Sequence, residues 1–293
     1  MYVFRQKSFA AAGGKLYVVA TPIGNLDDIT YRAVRVLREV AWIAAEDTRH
    51  TRKLLAHFGI ATPLISCHEH NEAARAAELV ARLANGESGA LVSDAGLPGI
   101  ADPGAQLVRA AVEAGIPVVP VPGASAALAA LVVSGLPTKR FRFVGFLPRQ
   151  NRERARALDR LKSATDTLLF YEAPHRLAET LEALLAVLGD RRAVLARELT
   201  KVHEEIVRGT LTEILALVRA EGVRGECTLV VEGADEEGDA AQENVWWEGL
   251  SMAEHVAAYE ARGLSRKEAM KAVARDRGVS KREVYDALLD STQ

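Results

Sequence analysis

Three loops rich in Gly and Pro carry the polar side chains best suited to chemistry in this sequence. Each loop follows a short apolar run, and small residues in such loops let a ligand approach the backbone closely. Asp94 and Ser125 supply polar groups there. A single loop of this kind could simply shape a connection, but three at the same sheet edge favour a ligand site. The loops span Ala20–Thr30, Ser93–Gly104 and Pro120–Ala126.

Several common site types are excluded by what the sequence lacks. It contains neither the G-x-x-x-x-G-K-[ST] pattern nor the G-x-G-x-x-G pattern, which removes the main support for P-loop and Rossmann dinucleotide sites. Cys67 and Cys227 lie far apart and outside any CxxC pattern, so neither a disulfide framework nor a thiolate zinc site is expected. This cysteine usage predicts a reducing, cytoplasmic location. The longest charge-free stretch, 116–138, is broken by prolines, so we expect no membrane partner.

The elements that must position these loops follow a βαβ rhythm. Short apolar runs such as 16–20, 42–45 and 90–93 alternate with segments of helical periodicity, which indicates a mainly parallel sheet with helices on both faces. After residue 124, strands return at Phe141–Phe146, Thr167–Tyr171, Ala193–Arg197, Glu205–Arg208 and Cys227–Val231 with fewer helices between them, which predicts a mixed sheet.

The sequence therefore predicts an α/β protein of two domains with a small helical extension. Two S-x-x-E capping boxes, at Ser265 and Ser280, and the preceding Gly263 and Gly278 indicate three short helices near the C-terminus. Their spacing resembles a helix-turn-helix, although a small structural cap fits equally well. The predicted parts are a flexible tail 1–14, an N-terminal domain 15–121, a second domain 122–234, an acidic linker 235–248 and a helical extension 249–293.

A local basic stretch is concealed by the overall charge. The chain has 37 Lys and Arg against 39 Asp and Glu, so no global positive field exists to hold nucleic acid. Between Lys139 and Lys162, however, nine Lys and Arg face two acidic residues, with Phe141, Phe143 and Phe146 interleaved. We expect most of these Phe side chains to lie in the core, while a solvated basic helix remains the alternative to RNA binding. The residues expected to contact RNA phosphates are Arg149, Arg152 and Arg154.

Five motifs, in order along the chain from about Leu16 to Val231, resemble the tetrapyrrole-methylase superfamily, and within it the branch that acts on ribosomal RNA. The longest motif, Thr21-Pro-Ile-Gly-Asn-Leu-Asp-Asp-Ile-Thr30, is highly specific. The sequence departs from the family pattern at Ala101 and Ala124, where Ser and Pro are expected. The other motifs are Glu46-Asp-Thr-Arg49, Ser93-Asp-Ala-Gly96 through Asp102-Pro-Gly104, Tyr171-Glu-Ala-Pro-His-Arg176 and Arg197-Glu-Leu-Thr-Lys201.

This resemblance implies a two-domain fold that binds S-adenosylmethionine between its domains and methylates a cytidine ribose 2′-hydroxyl in 16S rRNA. It also implies a homodimer, and it leaves open whether the substrate is free RNA or the assembled small ribosomal subunit. By motif, the implied cofactor contacts are Pro22, Asp94, Leu97, Ser125, Ala126, Tyr171, Glu172 and Arg197. Arg49, Arg176 and Lys201 join the expected RNA contacts.

The ribose methylation implied by the resemblance requires a proton acceptor. A sulfonium donor leaves as a neutral thioether and needs no acid, whereas a ribose hydroxyl must be oriented or deprotonated. Glu46 is the first candidate because it ends an apolar strand, and His50 and His68 are the alternatives; an ion pair of Glu46 with Arg49 or Arg52 is the competing interpretation. His68 and His70 have the spacing of a metal pair, but no third ligand motif supports them, so we predict no metal site.

Two other functions compete with this hypothesis. A methylase acting on a corrin-type tetrapyrrole would share the fold and the cofactor, but it would have no use for the basic stretch or the helical extension. A non-enzymatic RNA-binding protein would explain those two features, but not the three ligand-type loops.

Overall fold

The computed structural model describes Gln6, residues 13–235, Trp247 and residues 249–290. Two compact units are present, residues 1–234 and residues 235–293. Most of the predicted tail 1–14 and linker 235–248 lies outside the described residues, and both remain predictions. Within the tail, the side-chain amide of Gln6 donates to Val118 O (2.8 Å) and accepts from Val118 N (3.0 Å).

The first sheet is wholly parallel, as its apolar runs predict. Its spatial order is β3-β2-β4-β1-β5. All five carboxyl ends therefore meet at one edge, where the Gly- and Pro-rich loops begin. The strands are β1 (Leu16–Val19), β2 (Trp42–Ala45), β3 (Leu64–Ser66), β4 (Gly89–Val92) and β5 (Val118–Val121).

Four helices cover this sheet, two on each face. The core on one face contains Val36 and Leu37 from α1 and Leu55 from α2. The core on the other contains Leu79 from α3 and Leu107 from α4. Helices on both faces explain why the inner strands β2 and β4 are buried along their whole length. The helices are α1 (Tyr31–Glu39), α2 (Thr48–His57), α3 (Glu72–Ala84) and α4 (Ala105–Glu113).

The second sheet is mixed, which confirms the prediction. Its order is β6-β7-β10-β8-β9, with β6 parallel to β7 and the remaining pairs antiparallel. The strands are β6 (Phe141–Phe146), β7 (Thr167–Glu172), β8 (Arg192–Arg197), β9 (Glu205–Thr210) and β10 (Cys227–Val231).

The helices of the second sheet divide between its faces. The large core on one face includes Leu158, Leu181 and Leu215 from α6, α7 and α8. On the other face α5 packs with Leu169 and Val230, and Ile23 from the loop after β1 joins this cluster. The α5 face therefore adjoins the loops of the first sheet. The helices are α5 (Ala126–Ser134), α6 (Asn151–Asp159), α7 (Leu177–Leu188) and α8 (Leu211–Glu221).

The expectation that most Phe residues of the basic stretch are in the core is wrong. Phe143 packs against the α5-side cluster, but Phe141 is 44% exposed and Phe146 is 54% exposed. The register of β6 against β7 shifts between Phe143 and Gly145, and Gly145 has φ +73°. This irregularity breaks the strict alternation of side chains on an edge strand and leaves Phe146 at the surface.

The second unit is a bundle of short helices, α9 (Met252–Ala261), α10 (Arg266–Asp276) and α11 (Lys281–Asp290). Its core includes Val256, Val273 and Val284. The predicted capping boxes at Ser265 and Ser280 both form, since each serine pairs with the Glu three residues later. None of the helices in the described part of the chain is long and apolar enough to span a bilayer.

Candidate active site

The carboxyl edge of the first sheet is held together by hydrogen bonds between its loops. Thr21 N donates to Gly96 O (2.9 Å), and Gly96 N donates to Thr21 O (3.1 Å). The Thr21 hydroxyl also donates to Ser93 O (3.1 Å). Asp47 N donates to Asp94 Oδ1 (3.2 Å), which joins the end of β2 to the same loop. Three strand ends are thereby fixed relative to one another.

The buried carboxylate of Glu72 fixes the far end of the 93–104 loop. Its Oε1 accepts hydrogen bonds from Gly104 N (3.0 Å), Gln106 N (2.7 Å) and Leu107 N (3.2 Å) at the start of α4. These amides have no partner within the helix, and an acidic group also complements the helix dipole. A side chain from α3 therefore anchors the loop that carries Asp94 and Asp102.

A first cavity of about 470 Å³ lies between this edge and the second sheet. The volume falls in the range of ordinary small-molecule sites. Small residues dominate the lining from the first sheet and α5, whereas the second sheet and its loops contribute two aromatic rings, carboxylates and one lysine. The lining includes Ala95, Gly96, Leu97, Asp102, Ser125, Ala126, Phe146, Tyr171, Glu172, Glu198, Lys201 and Glu226.

Strained backbone is concentrated around the first cavity. Three described non-glycine residues have positive φ: Ala101 (61°), Glu198 (49°) and Thr200 (69°). Ala101 and Glu198 line the cavity, and Thr200 adjoins it. Left-handed backbone costs free energy for such residues and occurs preferentially at functional sites. Gly225, at φ +84°, also lines the cavity, and a Cβ there would collide with the Glu198 carboxylate.

A second cavity of about 490 Å³ adjoins the first. The two share Ile23, Ala95, Lys201 and Glu226 in their linings. The second cavity is also lined by Pro22, Asp94, His50 and Lys53, so it carries both a hydrogen-bonding carboxylate and basic groups. One chamber therefore suits a small cofactor, and the neighbouring one suits an anionic acceptor.

Two carboxyl groups at the sheet edge have raised pKa values. Burial, followed by the negative charges of Asp102 and Asp94, raises the pKa of Glu46. Burial also raises the pKa of Asp102 to about 6, although a hydrogen bond with Ser93 lowers it in part. Such shifts bring a carboxylate closer to the basicity that proton acceptance needs at neutral pH.

The carboxylates on the opposite side of the cavity are paired with cations. Lys201 Nζ lies 2.8 Å from Glu198 Oε1 and 3.0 Å from Glu226 Oε2. The hydrogen bond from Lys201 lowers the pKa of Glu198. Glu198 and Lys201 therefore hold fixed charges, because the pKa of Glu198 is lowered and that of Lys201 is raised. Among the described residues, no group of three or more His, Cys, Asp or Glu side chains is arranged to bind a metal ion.

Residues 15–215 match the model of the tetrapyrrole (corrin/porphyrin) methylases. The match covers all three Gly- and Pro-rich loops. The chain belongs to the tetrapyrrole methylase family.

Curated relatives of this tetrapyrrole methylase extend the likeness over nearly its whole length. It is 54% identical to a protein of Halalkalibacterium halodurans named ribosomal RNA small subunit methyltransferase I, over 93% of this chain and 94% of that one. A Bacillus subtilis protein of the same name is 50% identical over 97% of each chain.

The fold of this tetrapyrrole methylase resembles solved structures of the family. Uroporphyrin-III-C-methyltransferase from Thermus thermophilus matches with a TM-score of 0.54 and 25% identity, over 75% of this chain and 94% of that one. A diphthine synthase matches with a TM-score of 0.58 and 18% identity, over 75% and 90% of the two chains.

The structure of this tetrapyrrole methylase brings most of the predicted cofactor residues together. Leu97, Ser125, Ala126, Tyr171 and Glu172 line the first cavity. Pro22 and Asp94 line the second cavity instead.

The predicted cofactor residue Arg197 lies outside the lining of both cavities, and its contact stays a prediction. Arg197 pairs with Glu205 at the end of the β8–β9 pair and lines neither cavity. The edge strand β9 supplies this carboxylate, and nothing in the spacing of the motif predicts it.

The three candidate bases lie at neighbouring strand ends. Glu46 follows β2, His68 follows β3, and the exposed His50 in α2 lines the second cavity. The competing interpretation, an ion pair of Glu46 with Arg49, is not seen in the structure, because Arg49 pairs with Asp47 (2.8 Å). Arg49 stays exposed, and no ion pair of Arg52 is found in the described part of the chain.

Two of the expected RNA contacts are structural. The side chain of Arg154 is 7% exposed and pairs with Glu179 (2.6 Å), because it lies on the same helical face as the buried Leu158. Arg176 is largely buried, donates to Leu147 O (3.2 Å) and lies 3.5 Å from Glu172. Arg149 and Arg152 are exposed, and Lys201 is occupied by its two carboxylates.

Sequence reasoning did not select three residues of the site. Asp102 lines the first cavity, Phe146 borders it, and Lys53 lines the second. Asp102 lies within a loop already singled out, and the adjoining Pro103-Gly104 was the available signal. For Phe146 and Lys53, the sequence carried no comparable signal.

Proposed function

We propose that this tetrapyrrole methylase uses S-adenosylmethionine to methylate a cytidine ribose 2′-hydroxyl of 16S rRNA in the small ribosomal subunit. The observation that carries the proposal is a pair of adjoining cavities, one lined by small residues and carboxylates and the other by His50 and Lys53. The names of the relatives from Halalkalibacterium halodurans and Bacillus subtilis support a ribosomal substrate.

The first cavity fits S-adenosylmethionine in chemistry and in space. Four carboxylate residues and a single lysine line it, which suits a cationic sulfonium. The carboxylates are Asp102, Glu172, Glu198 and Glu226. The Ser125 hydroxyl precedes α5 without capping its amides, which leaves a polar group available at the cavity wall. When bound, the cofactor supplies an electrophilic methyl group whose departure leaves a neutral thioether.

The residues of the chain would mainly hold the acceptor in line and accept its proton. Effective positioning of two reactants supplies a large part of such a rate enhancement. Pro22 and Asp94 form one wall of the second cavity, and the bond from Asp47 N fixes the Asp94 carboxylate. Lys53 provides a cation for a phosphate next to the acceptor ribose.

Glu46 is the proposed proton acceptor. Its raised pKa and its position between the ends of β3 and β4 place a partly desolvated carboxylate beside the Asp94 loop. His50 is the alternative acceptor that lines the second cavity, and His68 is the more distant one along the edge.

The surface charge supports RNA over a small tetrapyrrole as substrate. Arg149 and Arg152 are exposed near the start of α6, and Arg49 is 84% exposed in its side chain. A small-molecule methylase would gain nothing from these exposed cations.

The proposal is tested by methyl transfer from radiolabelled S-adenosylmethionine to small subunits, and separately to free 16S rRNA, from cells that lack the protein. We expect label in 2′-O-methylcytidine after digestion to nucleosides. Ser125→Tyr should abolish transfer and cofactor binding by filling the first cavity. Label in a methylated base, or only in an added uroporphyrinogen, would contradict the proposal.

Two further properties belong to the proposal. A cytoplasmic location follows from the ribosomal substrate. A homodimer follows from the family resemblance and is supported by exposed apolar side chains on α5, of which Val132 is 71% exposed. Sedimentation of the wild type and of Val132→Asp tests the dimer, which should dissociate in the variant.

A further inference from the structure

A third surface depression continues the two cavities of the site. This flanking groove has a volume of about 700 Å³ and lies between the turn after β1, α1 and the end of α2. Leu26 lines both the flanking groove and the second cavity, so the two are contiguous. The groove is also lined by Ile29, Tyr31, Arg35, Arg38 and Phe58.

Tyr31 presents its ring almost entirely to solvent. It is 98% exposed at the first position of α1, while Ala33, Val36 and Leu37 form the buried face of that helix. No side-chain hydrogen bond or ring contact of Tyr31 is found with any other residue that the structure describes. A rigid aromatic ring in this state loses little conformational entropy on binding and offers a face for stacking on a base.

Two guanidinium groups lie on the same helical face as Tyr31. Arg35 and Arg38 follow it at intervals of four and three residues, which aligns all three side chains along α1. Arg38 is partly fixed by donation to Phe58 O (2.6 Å), whereas Arg35 is exposed and forms no ion pair with another described residue. An aromatic ring next to an available cation is the arrangement that single-stranded nucleic acid requires.

The charged residues of α1 and α2, between the flanking groove and the second cavity, favour binding of a polyanion. Between Tyr31 and His57 the sequence has six Lys and Arg against three acidic residues. Asp27 and Glu39 also line the groove, so its local charge is balanced, and the excess of cations lies along α2 toward the second cavity. Lys53, in the second cavity, and Arg35, in the flanking groove, can therefore contact successive phosphates of one strand.

We propose that the flanking groove binds the RNA nucleotide next to the methylated cytidine, with Tyr31 stacked on its base and Arg35 contacting its phosphate. The strand must be single there, because a paired base buries its faces between its neighbours and cannot reach an aromatic side chain. This inference rests on the proposed function and adds a binding site on α1, separate from the basic stretch around α6.

The inference is tested on the full chain with Tyr31→Ala, Tyr31→Phe, Arg35→Ala and the matched control Arg109→Ala. Arg109 is an exposed arginine on α4, which covers the opposite face of the first sheet. The measurements are anisotropy of a fluorescein-labelled, unstructured oligoribonucleotide of about 12 residues containing cytidine, steady-state methylation of small subunits, and calorimetry with S-adenosylmethionine.

Tyr31→Ala and Arg35→Ala should each raise the oligonucleotide Kd and the KM for small subunits by about 5- to 30-fold. Their kcat, cofactor affinity and Tm should stay near wild type, because Tyr31 and Arg35 are exposed and outside the first cavity. Tyr31→Phe should restore most of the affinity, and Arg109→Ala should behave as wild type. The salt dependence of oligonucleotide binding should weaken by about one unit of slope in Arg35→Ala.

If Tyr31→Ala and Arg35→Ala keep a Kd and a KM within twofold of wild type, the groove does not bind the strand, whatever the fate of the proposed function. If the wild type neither binds the oligonucleotide nor methylates ribosomal RNA, the proposed function fails as well. An equal loss of affinity in Arg109→Ala would assign the effect to general charge and overturn the inference.

Discussion

Two walls of the site, the carboxyl edge of the first sheet and the second-sheet side of the first cavity, hold carboxylates in opposite electrical environments. At the first-sheet edge, burial and then nearby acids raise the pKa values of Glu46 and Asp102. On the second-sheet side, Glu198 is paired with Lys201, and its pKa is lowered. Residues of one chemical type can thus exchange protons on one wall and hold fixed charge on the other.

The largest expected effect is on the rate of methyl transfer when the proposed proton acceptor is changed. If Glu46 accepts the ribose proton, Glu46→Gln should lower the single-turnover rate of methyl transfer by roughly two to four orders of magnitude. Cofactor and RNA affinities should change little, because the amide keeps the shape of the side chain. A loss below tenfold with both substrates saturating would transfer the role to His50 or His68, and His50→Gln and His68→Gln would then be measured in the same way.

The contrast between available and paired charge also applies to α6. Changing Arg149 and Arg152 together to Glu should weaken RNA binding by roughly 10- to 100-fold and flatten its salt dependence by about two units of slope. Arg154→Ala should instead leave the salt slope unchanged and lower the Tm by roughly 2–8 °C, since its guanidinium is buried against Glu179. Equal RNA binding by all of these variants would make the basic stretch a solvated surface.

A smaller effect concerns the stability of the first wall as a function of pH. The pKa of Asp102 is raised from 3.8 to about 6, so its contribution to stability is present below the lower value and is lost as pH rises through the higher one. Asp102→Asn should therefore stabilise the protein by about 1–2 kcal/mol near pH 8 and have almost no effect near pH 4. Urea unfolding at the two pH values measures this. A variant less stable than wild type at the higher pH would contradict the assignment.

The smallest effect is expected at Glu205, which pairs with Arg197 outside the lining of both cavities. Glu205→Gln removes a half-exposed partner of Arg197 and should change the free energy of unfolding by about 0–1 kcal/mol. The single-turnover rate should remain within a fewfold of wild type. A rate loss comparable to that of Glu46→Gln would show that the Arg197–Glu205 pair takes part in the chemistry.

The order and type of the strands and helices of both sheets could be predicted from the sequence because apolar runs and glycine stops are local signals. The strand bounds 141–146 and 227–231 are those of the structure. The helix after the second loop begins at Ala105, where the Glu72 carboxylate from α3 caps it. That cap is a long-range contact with no local signature.

The burial, pKa values and ion-pair partners of individual charged side chains were less predictable from the sequence. Arg154 and Leu158 share one face of α6, so the burial of Arg154 could have been inferred from periodicity. The raised pKa of Asp102 could not, because it depends on burial and on an Asp94 carboxylate positioned by packing. The same holds for Arg197, whose partner Glu205 comes from the adjacent edge strand.

The pH dependence of single-turnover methyl transfer in the wild type and in Glu46→Gln tests the division between the two walls most directly. With Glu46 as acceptor, the wild-type rate should fall as pH decreases through the raised pKa of that carboxyl. The low rate of Glu46→Gln should lose this inflection, and Glu205→Gln should keep it. An inflection that persists unchanged in Glu46→Gln would contradict the account and would assign the titration to another group at the sheet edge, Asp102 or one of the histidines.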